Sequence, residues 1–79
     1  MTKHDDKFLV LGRNIADFRK RKGFTQEALA EKIGISRTHM SNIEAPGMVK
    51  SVSLEVLFDI ADALGVSVSQ LFEIRWHLR

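Results

Sequence analysis

The chain has 79 residues, a formal net charge of +2 and no cysteine. A chain of this length forms one small domain, so we expect residues 1–79 to fold as a single unit without disulfides or thiolate zinc sites. Because it also lacks an apolar run of about 20 residues and the apolar centre of a signal peptide, the sequence predicts a soluble, cytoplasmic protein and no membrane partner.

Five helices and no strands are predicted from the helical spacing of the apolar residues, the Ser and Thr caps and the Gly stops. Residues 1–5 are expected to form a flexible tail. The predicted helices cover residues 6–21, 26–33, 37–45, 54–64 and 68–79. The expected fold class is therefore a compact, all-α, five-helix domain.

Residues 26–45 have the spacing of a helix, a glycine turn and a second helix. Gly34 can adopt the positive φ that ends a helix, and Ser36 can cap the next one at once. The residues expected to face inward are Leu29, Ala30, Ile33, Met40 and Ile43. A short, stiff turn between two such helices is typical of a helix-turn-helix unit.

The fourth helix is expected to begin after a cap at Ser53 and to end at Gly65. Its predicted inward residues are Leu54, Leu57, Ile60, Ala61 and Leu64. The fifth helix begins after Ser67, which has Gln70 at the spacing of a capping box.

The fifth helix carries more apolar surface than one core face needs, because its apolar residues span roughly 200° at about 100° per residue. The surplus predicts a surface that a symmetric dimer would bury. The predicted dimer residues are Val68, Leu71, Ile74, Arg75, Trp76 and Leu78. The alternative is that this end of the chain stays exposed or folds back on the first helix.

Charge is unevenly distributed along the chain. Residues 13–37 contain seven basic and three acidic side chains, a balance of +4, whereas residues 52–79 contain four acidic and two basic ones, a balance of −2. One part of the molecule is thus suited to an anionic partner. The alternative is that the basic run 19–22 is only a solvated helix face.

The outward residues near the start of the third helix have side chains that can form hydrogen bonds with the edges of DNA bases. Arg can donate two bonds to guanine, Asn can pair with adenine, and Thr offers a hydroxyl and a methyl to thymine. The predicted base contacts are Arg37, Thr38, Ser41 and Asn42. A helix that presents such residues at its N-terminal end is suited to the major groove of double-stranded DNA.

Phosphate contacts are expected from groups that flank this helix. Gln26 is the leading candidate, because its amide and the free N–H groups at the start of the second helix could hold one phosphate together. The predicted phosphate contacts are Gln26, Ser36, His39, Lys50 and Ser51. For His39, an idle and solvated side chain is the alternative.

These motifs resemble the Cro and lambda-type repressor helix-turn-helix proteins, also called the xenobiotic-response-element-like family of bacterial regulators. The likeness extends over roughly residues 11–72 and is carried by the segments 25–30, 33–37, 43–44 and 60–66. The loop 45–49 departs from the family, which usually has basic or small polar residues there. Backbone phosphate contacts in that loop are therefore not implied.

The resemblance implies a stand-alone, single-domain regulator that binds a pseudo-palindromic operator as a homodimer. It also implies that Gln26 contacts phosphate, that the four predicted readers contact bases, and that Arg19 and Glu44 form an ion pair. The alternative for the pair is two independent surface charges.

The sequence also bears on two other classes of function. An enzyme is not expected, because the chain has no glycine-rich phosphate loop and its three His residues lack metal-ligand spacing; no cofactor or metal is predicted. A protein-interaction module, such as an antitoxin or controller subunit that binds a toxin or another regulator, would use the same apolar fifth helix. The sequence predicts a homodimeric repressor or autoregulator and keeps this alternative open.

Overall fold

A computed structural model of the chain describes residues 3–45 and 52–74, which form helices joined by short turns and contain no strand. The helices are α1 (Asp5–Arg21), α2 (Gln26–Ile33), α3 (Arg37–Glu44), α4 (Leu54–Leu64) and α5 (Val68–Leu71). This confirms the all-α prediction and the order of the helices. Within the described ranges, no helix is both long and apolar enough to cross a membrane.

The predicted caps explain where these helices begin and end. The N-cap side chains accept a hydrogen bond from the backbone N–H three residues on, at 3.0–3.1 Å. These capping residues are Thr25, Ser36, Ser53 and Ser67. Gly34 and Gly65 close α2 and α4 with φ angles of 78° and 69°, a conformation that a residue with a Cβ seldom adopts. Capping hydrogen bonds therefore determine where four of the helices begin, and αL glycines determine where two of them end.

The bounds of α1 and α3 each differ from the prediction by one residue. Asp5, expected in the tail, is the first residue of α1. Ala45, expected in α3, is extended, with ψ 128°. The position before a proline favours this extended backbone, so α3 ends at Glu44.

All five helices contribute to one apolar core. Its residues are Leu11, Ile15, Phe18, Leu29, Ala30, Met40, Ile43, Leu57, Ile60, Ala61, Leu64 and Leu71. The prediction that Leu54 faces inward is wrong, since 66% of this residue is exposed. At about 100° per residue it lies roughly 70° from the centre of the buried stripe of α4.

The predicted extent of α5 is also wrong, because the helix ends at Leu71 rather than continuing through residue 79. The fully buried Asn14 of α1 donates its amide to the carbonyls of Leu71, at 2.9 Å, and Glu73, at 2.6 Å. These bonds direct the carbonyls to a side chain of another helix, and Phe72 leaves the helical conformation with φ −109° and ψ 2°. A tertiary contact thus accompanies the end of α5.

Close packing of α1 on α3 depends on Gly12. A Cβ at this position would lie 2.6 Å from the carbonyl oxygen of Ile43 and 3.4 Å from the Cα of Glu44. Both atoms belong to the backbone, so neither can move aside as a side-chain tip would. Gly12 therefore sets how near the end of α3 lies to α1.

We expect Gly12→Ala to lower the free energy of unfolding by about 1–3 kcal/mol, because overpacking outweighs the gain in helix propensity. Urea denaturation followed by circular dichroism measures this loss. Lys20→Ala, on an exposed position of the same helix, is the control and should stay within about 0.5 kcal/mol of the original chain. A Gly12→Ala protein as stable as the control would contradict the packing argument.

Candidate nucleic-acid interface

The outward side of α3 is polar over residues 37–42. Arg37, Thr38 and His39 are exposed, and Ser41 and Asn42 are half-buried. Met40 and Ile43, on the opposite side, belong to the core. The four predicted base readers thus lie on one helix, and the opposite side of that helix packs in the core.

A buried ion pair joins α1 to the end of α3. Arg19 Nε lies 2.7 Å from Glu44 Oε2, and Arg19 Nη2 donates to Glu44 Oε1 at 3.0 Å. The side chains are only 10% and 5% exposed. A third bond runs from Arg19 Nη1 to the carbonyl of Phe24, at 2.8 Å, in the turn between α1 and α2. The residues that the resemblance pairs are therefore in contact, and the same guanidinium also holds the turn.

Gln26 is connected to this pair. Its Nε2 donates to Glu44 Oε1 at 2.9 Å, although the two residues are 18 positions apart. Sequence reasoning missed this bond, because it depends on how α2 and α3 cross and has no signal in the spacing of residues. The leading candidate for phosphate contact is thus attached to the ion pair.

Donors are available at the start of α2. Thr25 Oγ1 accepts from the N–H of Ala28, at 3.0 Å. Among the residues that the structure describes, no group accepts from the N–H of Gln26 or Glu27. Unpaired N–H groups at the start of a helix attract anions.

A shallow cleft of about 480 Å³ lies between the start of α2 and the start of α3. Its lining residues are Arg19, Thr25, Gln26, Glu27 and Arg37. The cleft therefore adjoins both the leading phosphate candidate and a predicted base reader. The cleft is lined by two arginines and one glutamate. The charge of one of these arginines, Arg19, is paired with Glu44.

Comparison with known proteins shows the family to which this chain belongs. A helix-turn-helix family model matches residues 15–71. The chain belongs to the Cro/C1-type helix-turn-helix family.

Individual members of the helix-turn-helix family extend this finding. YazB of Bacillus subtilis, an uncharacterized helix-turn-helix-type transcriptional regulator, is 39% identical over 62 residues, which are 78% of this chain and 87% of YazB. The crystal structure of the restriction-modification controller protein C.AhdI from Aeromonas hydrophila has a TM-score of 0.76 at 28% identity and covers 85% of this chain and 98% of that chain.

SinR of Bacillus subtilis, a helix-turn-helix-type transcriptional regulator, is 33% identical over 81% of this chain. The chain spans only 57% of the length of SinR. A solved structure of SinR in complex with SinI matches with a TM-score of 0.74 at 32% identity, over 82% of this chain and 62% of that chain.

The remaining predicted contacts of this helix-turn-helix protein differ in availability. The hydroxyl of Ser36 already accepts from the N–H of His39, at 3.0 Å, as a helix cap. The side chain of His39 is exposed. Lys50 and Ser51 lie outside the described residues.

The predicted dimer residues are divided by the structure. Leu71 is fully buried in the protomer core, so its assignment to a dimer surface is wrong. Val68 is half-buried against the core, and Ile74 is 68% exposed. Arg75, Trp76 and Leu78 lie outside the described residues.

A further apolar surface on α1 was missed. Leu9 is 49% exposed and lines, with Val10 and Ile74, a cleft of about 500 Å³. Phe72, 44% exposed, lies at a second cleft that shares Val10 and Ile74. Leu9 lies beside the inward face of α1. A single leucine at such a position does not indicate an apolar surface when only the sequence is known. We call Leu9, Phe72 and Ile74 the α1–C-terminal patch.

We expect Arg19→Ala to lower the free energy of unfolding by about 3 kcal/mol or more, because it leaves the carboxylate of Glu44 buried without its counter-charge. Chemical denaturation measures the loss. Arg21→Ala is the matched control, since its pair with Asp17 spans 3.4 Å and the side chains are 63% and 45% exposed. That control should cost less than about 1 kcal/mol. Equal losses in the two variants would show that burial of the Arg19 pair does not matter.

Proposed function

We propose that this protein is a sequence-specific DNA-binding transcriptional regulator that reads the major groove with the outward side of α3. The observation that carries the proposal is the polar side of α3, where Arg37 and Thr38 are exposed and Ser41 and Asn42 are half-buried. The core and the buried ion pair hold the opposite side and the C-terminal end of this helix. The relatives named above support it, since YazB and SinR are named as transcriptional regulators.

Each polar group has a role in this proposal. Arg37 donates two bonds to a guanine, Asn42 pairs with an adenine, and Thr38 and Ser41 complete the base contacts. Gln26 and the N–H groups at the start of α2 bind a backbone phosphate, which sets the register of α3 in the groove. The proposed flanking phosphate contacts are Ser36, His39, Lys50 and Ser51.

The proposed function is not an enzymatic one. The family consists of transcriptional regulators rather than enzymes, in agreement with the prediction from sequence. Regulation of transcription requires access to chromosomal DNA, so the proposal includes a cytoplasmic location. Repression, or autoregulation, follows when the bound protein covers a promoter.

Selection of duplexes from a random DNA pool by the full chain tests the function and gives the site. We expect Arg37→Ala to weaken binding to the selected duplex by about 1–3 kcal/mol and to relax the preference at one base pair. Gln26→Ala should weaken all sequences alike, because phosphate contacts carry no sequence information. Repeating the selection with each variant separates the two roles. A pool that is never enriched would contradict the function, and equal loss of preference in both variants would contradict the roles.

We propose further that the regulator is a homodimer that buries the α1–C-terminal patch. Val68 and the predicted residues Arg75, Trp76 and Leu78 are assigned to the same surface. Exposure of three large apolar side chains around adjoining clefts supports this surface. In this proposal the dimer is two-fold symmetric, and its two copies of α3 bind successive major grooves, about 34 Å apart, on a pseudo-palindromic operator.

We expect Ile74→Glu to shift a dimer to monomer, because a charge would be buried at the two-fold interface. Sedimentation equilibrium with and without the selected duplex measures the change. Phe58→Glu is the matched control, since Phe58 is 51% exposed on α4 and outside the patch. A chain that is monomeric before any substitution, even on DNA, would contradict the dimer.

A protein partner is the second candidate function. The solved complex of SinR with SinI supports it, because a related chain is bound there to another protein. Leu54 and Phe58, one turn apart on α4 and both more than half exposed, offer an apolar stripe beside the acidic Glu55 and Asp59. An antitoxin or controller subunit would use such a surface for a toxin or another regulator. Enrichment of a duplex by the chain alone would favour the first candidate.

A further inference from the structure

We infer that Glu44 is a positioning residue for DNA binding, whose carboxylate fixes the amide of Gln26 so that one of its N–H groups remains available to a DNA phosphate. The inference rests on the proposed phosphate contact of Gln26. It gives Glu44 a role beyond its ion pair with Arg19.

The carboxylate of Glu44 determines which end of the Gln26 amide faces it. An ionised carboxylate only accepts hydrogen bonds, so the amide nitrogen of Gln26, and not its oxygen, must turn towards Glu44. The Arg19 guanidinium donates to the same carboxylate, with Nε at 2.7 Å from Glu44 Oε2. The bond from Gln26 Nε2 to Glu44 Oε1, at 2.9 Å, uses one of the two amide hydrogens. The second hydrogen stays free to donate.

This arrangement suits the recognition of a phosphate in two ways. An unrestrained glutamine can present either the donor or the acceptor end of its amide, and only the donor end suits a phosphate. It also loses rotamer freedom when it binds. A glutamine already held by Glu44 presents its donor end and has less freedom to lose. The negative charge of Glu44 is paired with Arg19 through two bonds and is almost fully buried, which limits its repulsion of the phosphate.

The other glutamine of the chain provides an internal comparison. Gln70 is held by its opposite end, since its Oε1 accepts from the N–H of Ser67 at 2.8 Å in the capping box of α5. Its amide nitrogen takes no part in that bond. Gln70 lies on another helix, so a change at Glu44 should leave it unaffected.

A double-mutant cycle on the selected duplex tests the inference with Gln26→Ala, Glu44→Gln and the two combined. In Glu44→Gln one carboxylate oxygen becomes an NH2 group. When the remaining oxygen accepts from Arg19 Nε, as Oε2 does in the unaltered protein, the NH2 group faces the amide nitrogen of Gln26 and cannot accept from it. We expect Gln26→Ala to weaken binding about tenfold, the size of one hydrogen bond to a charged group. Glu44→Gln should weaken it nearly as much, but by no more than about twofold once Gln26 is absent.

Glu31→Gln is the control for charge, because it removes one exposed carboxylate from α2 without altering the bonds of Glu44. The cycle takes the unaltered chain as its reference, and Glu44→Gln is also compared with Glu31→Gln, under conditions in which circular dichroism shows each protein folded. The same loss from Glu44→Gln in both Gln26 backgrounds would overturn the inference. Tighter binding by Glu44→Gln than by Glu31→Gln would also overturn it, since Glu44 would then be withholding Gln26 from DNA.

The hold on Gln26 is measured separately, without DNA, by the heteronuclear NOE of its side-chain amide in the unaltered protein. We expect an ordered Gln26 amide that becomes mobile in Glu44→Gln, while the Gln70 amide is unchanged. A Gln26 amide that is mobile in the unaltered chain would overturn the inference even if Glu44→Gln did not fold. Equal DNA affinities of Gln26→Ala and the unaltered chain would instead overturn the proposed phosphate contact, and with it the inference, whatever the NOE.

Discussion

The geometry of the reading face depends on one buried charge pair. Arg19 uses three of its N–H groups to join α1 to the end of α3 and to the turn before α2. Since neither charge is well solvated, each requires the other, and the contact enforces one arrangement of these elements rather than simply adding stability. The donors at the start of α2 and the readers on α3 are thereby fixed relative to each other.

α3 is held at its C-terminal end, whereas the residues at its N-terminal end are exposed. Its C-terminal end lies against α1, where Gly12 permits a close approach and Glu44 is paired, while Met40 and Ile43 attach its inner side to the core. Its first three residues, 37–39, are exposed. This asymmetry suits a helix that enters a groove by its N-terminal residues, since rigidity is supplied where DNA does not reach.

Most of the fold could be predicted because the signals are local. Each capping hydroxyl acts three residues away, and each αL glycine acts at its own position. The end of α5 and the contact of Gln26 could not be predicted in this way, because distant residues take part in them. Asn14 pairs with carbonyls at the end of α5 from 57 positions away, and Gln26 meets Glu44 only through the crossing of two helices. The candidate base readers followed from their outward positions on α3, and the Arg19–Glu44 pair followed from the resemblance, whereas the bond from Gln26 to Glu44 had no signal in the sequence.

Asn14 also has a consequence for the order in which the molecule forms. Its bond to Leu71 closes a loop of 57 residues, compared with 25 for the pair between Arg19 and Glu44. Longer loops cost more entropy to close, and non-local contacts slow folding. The contacts among the first three helices therefore close shorter loops than the contact between α1 and the residues that follow α5. The turn after α5 is expected to dock on α1 after α1 and α3 have associated.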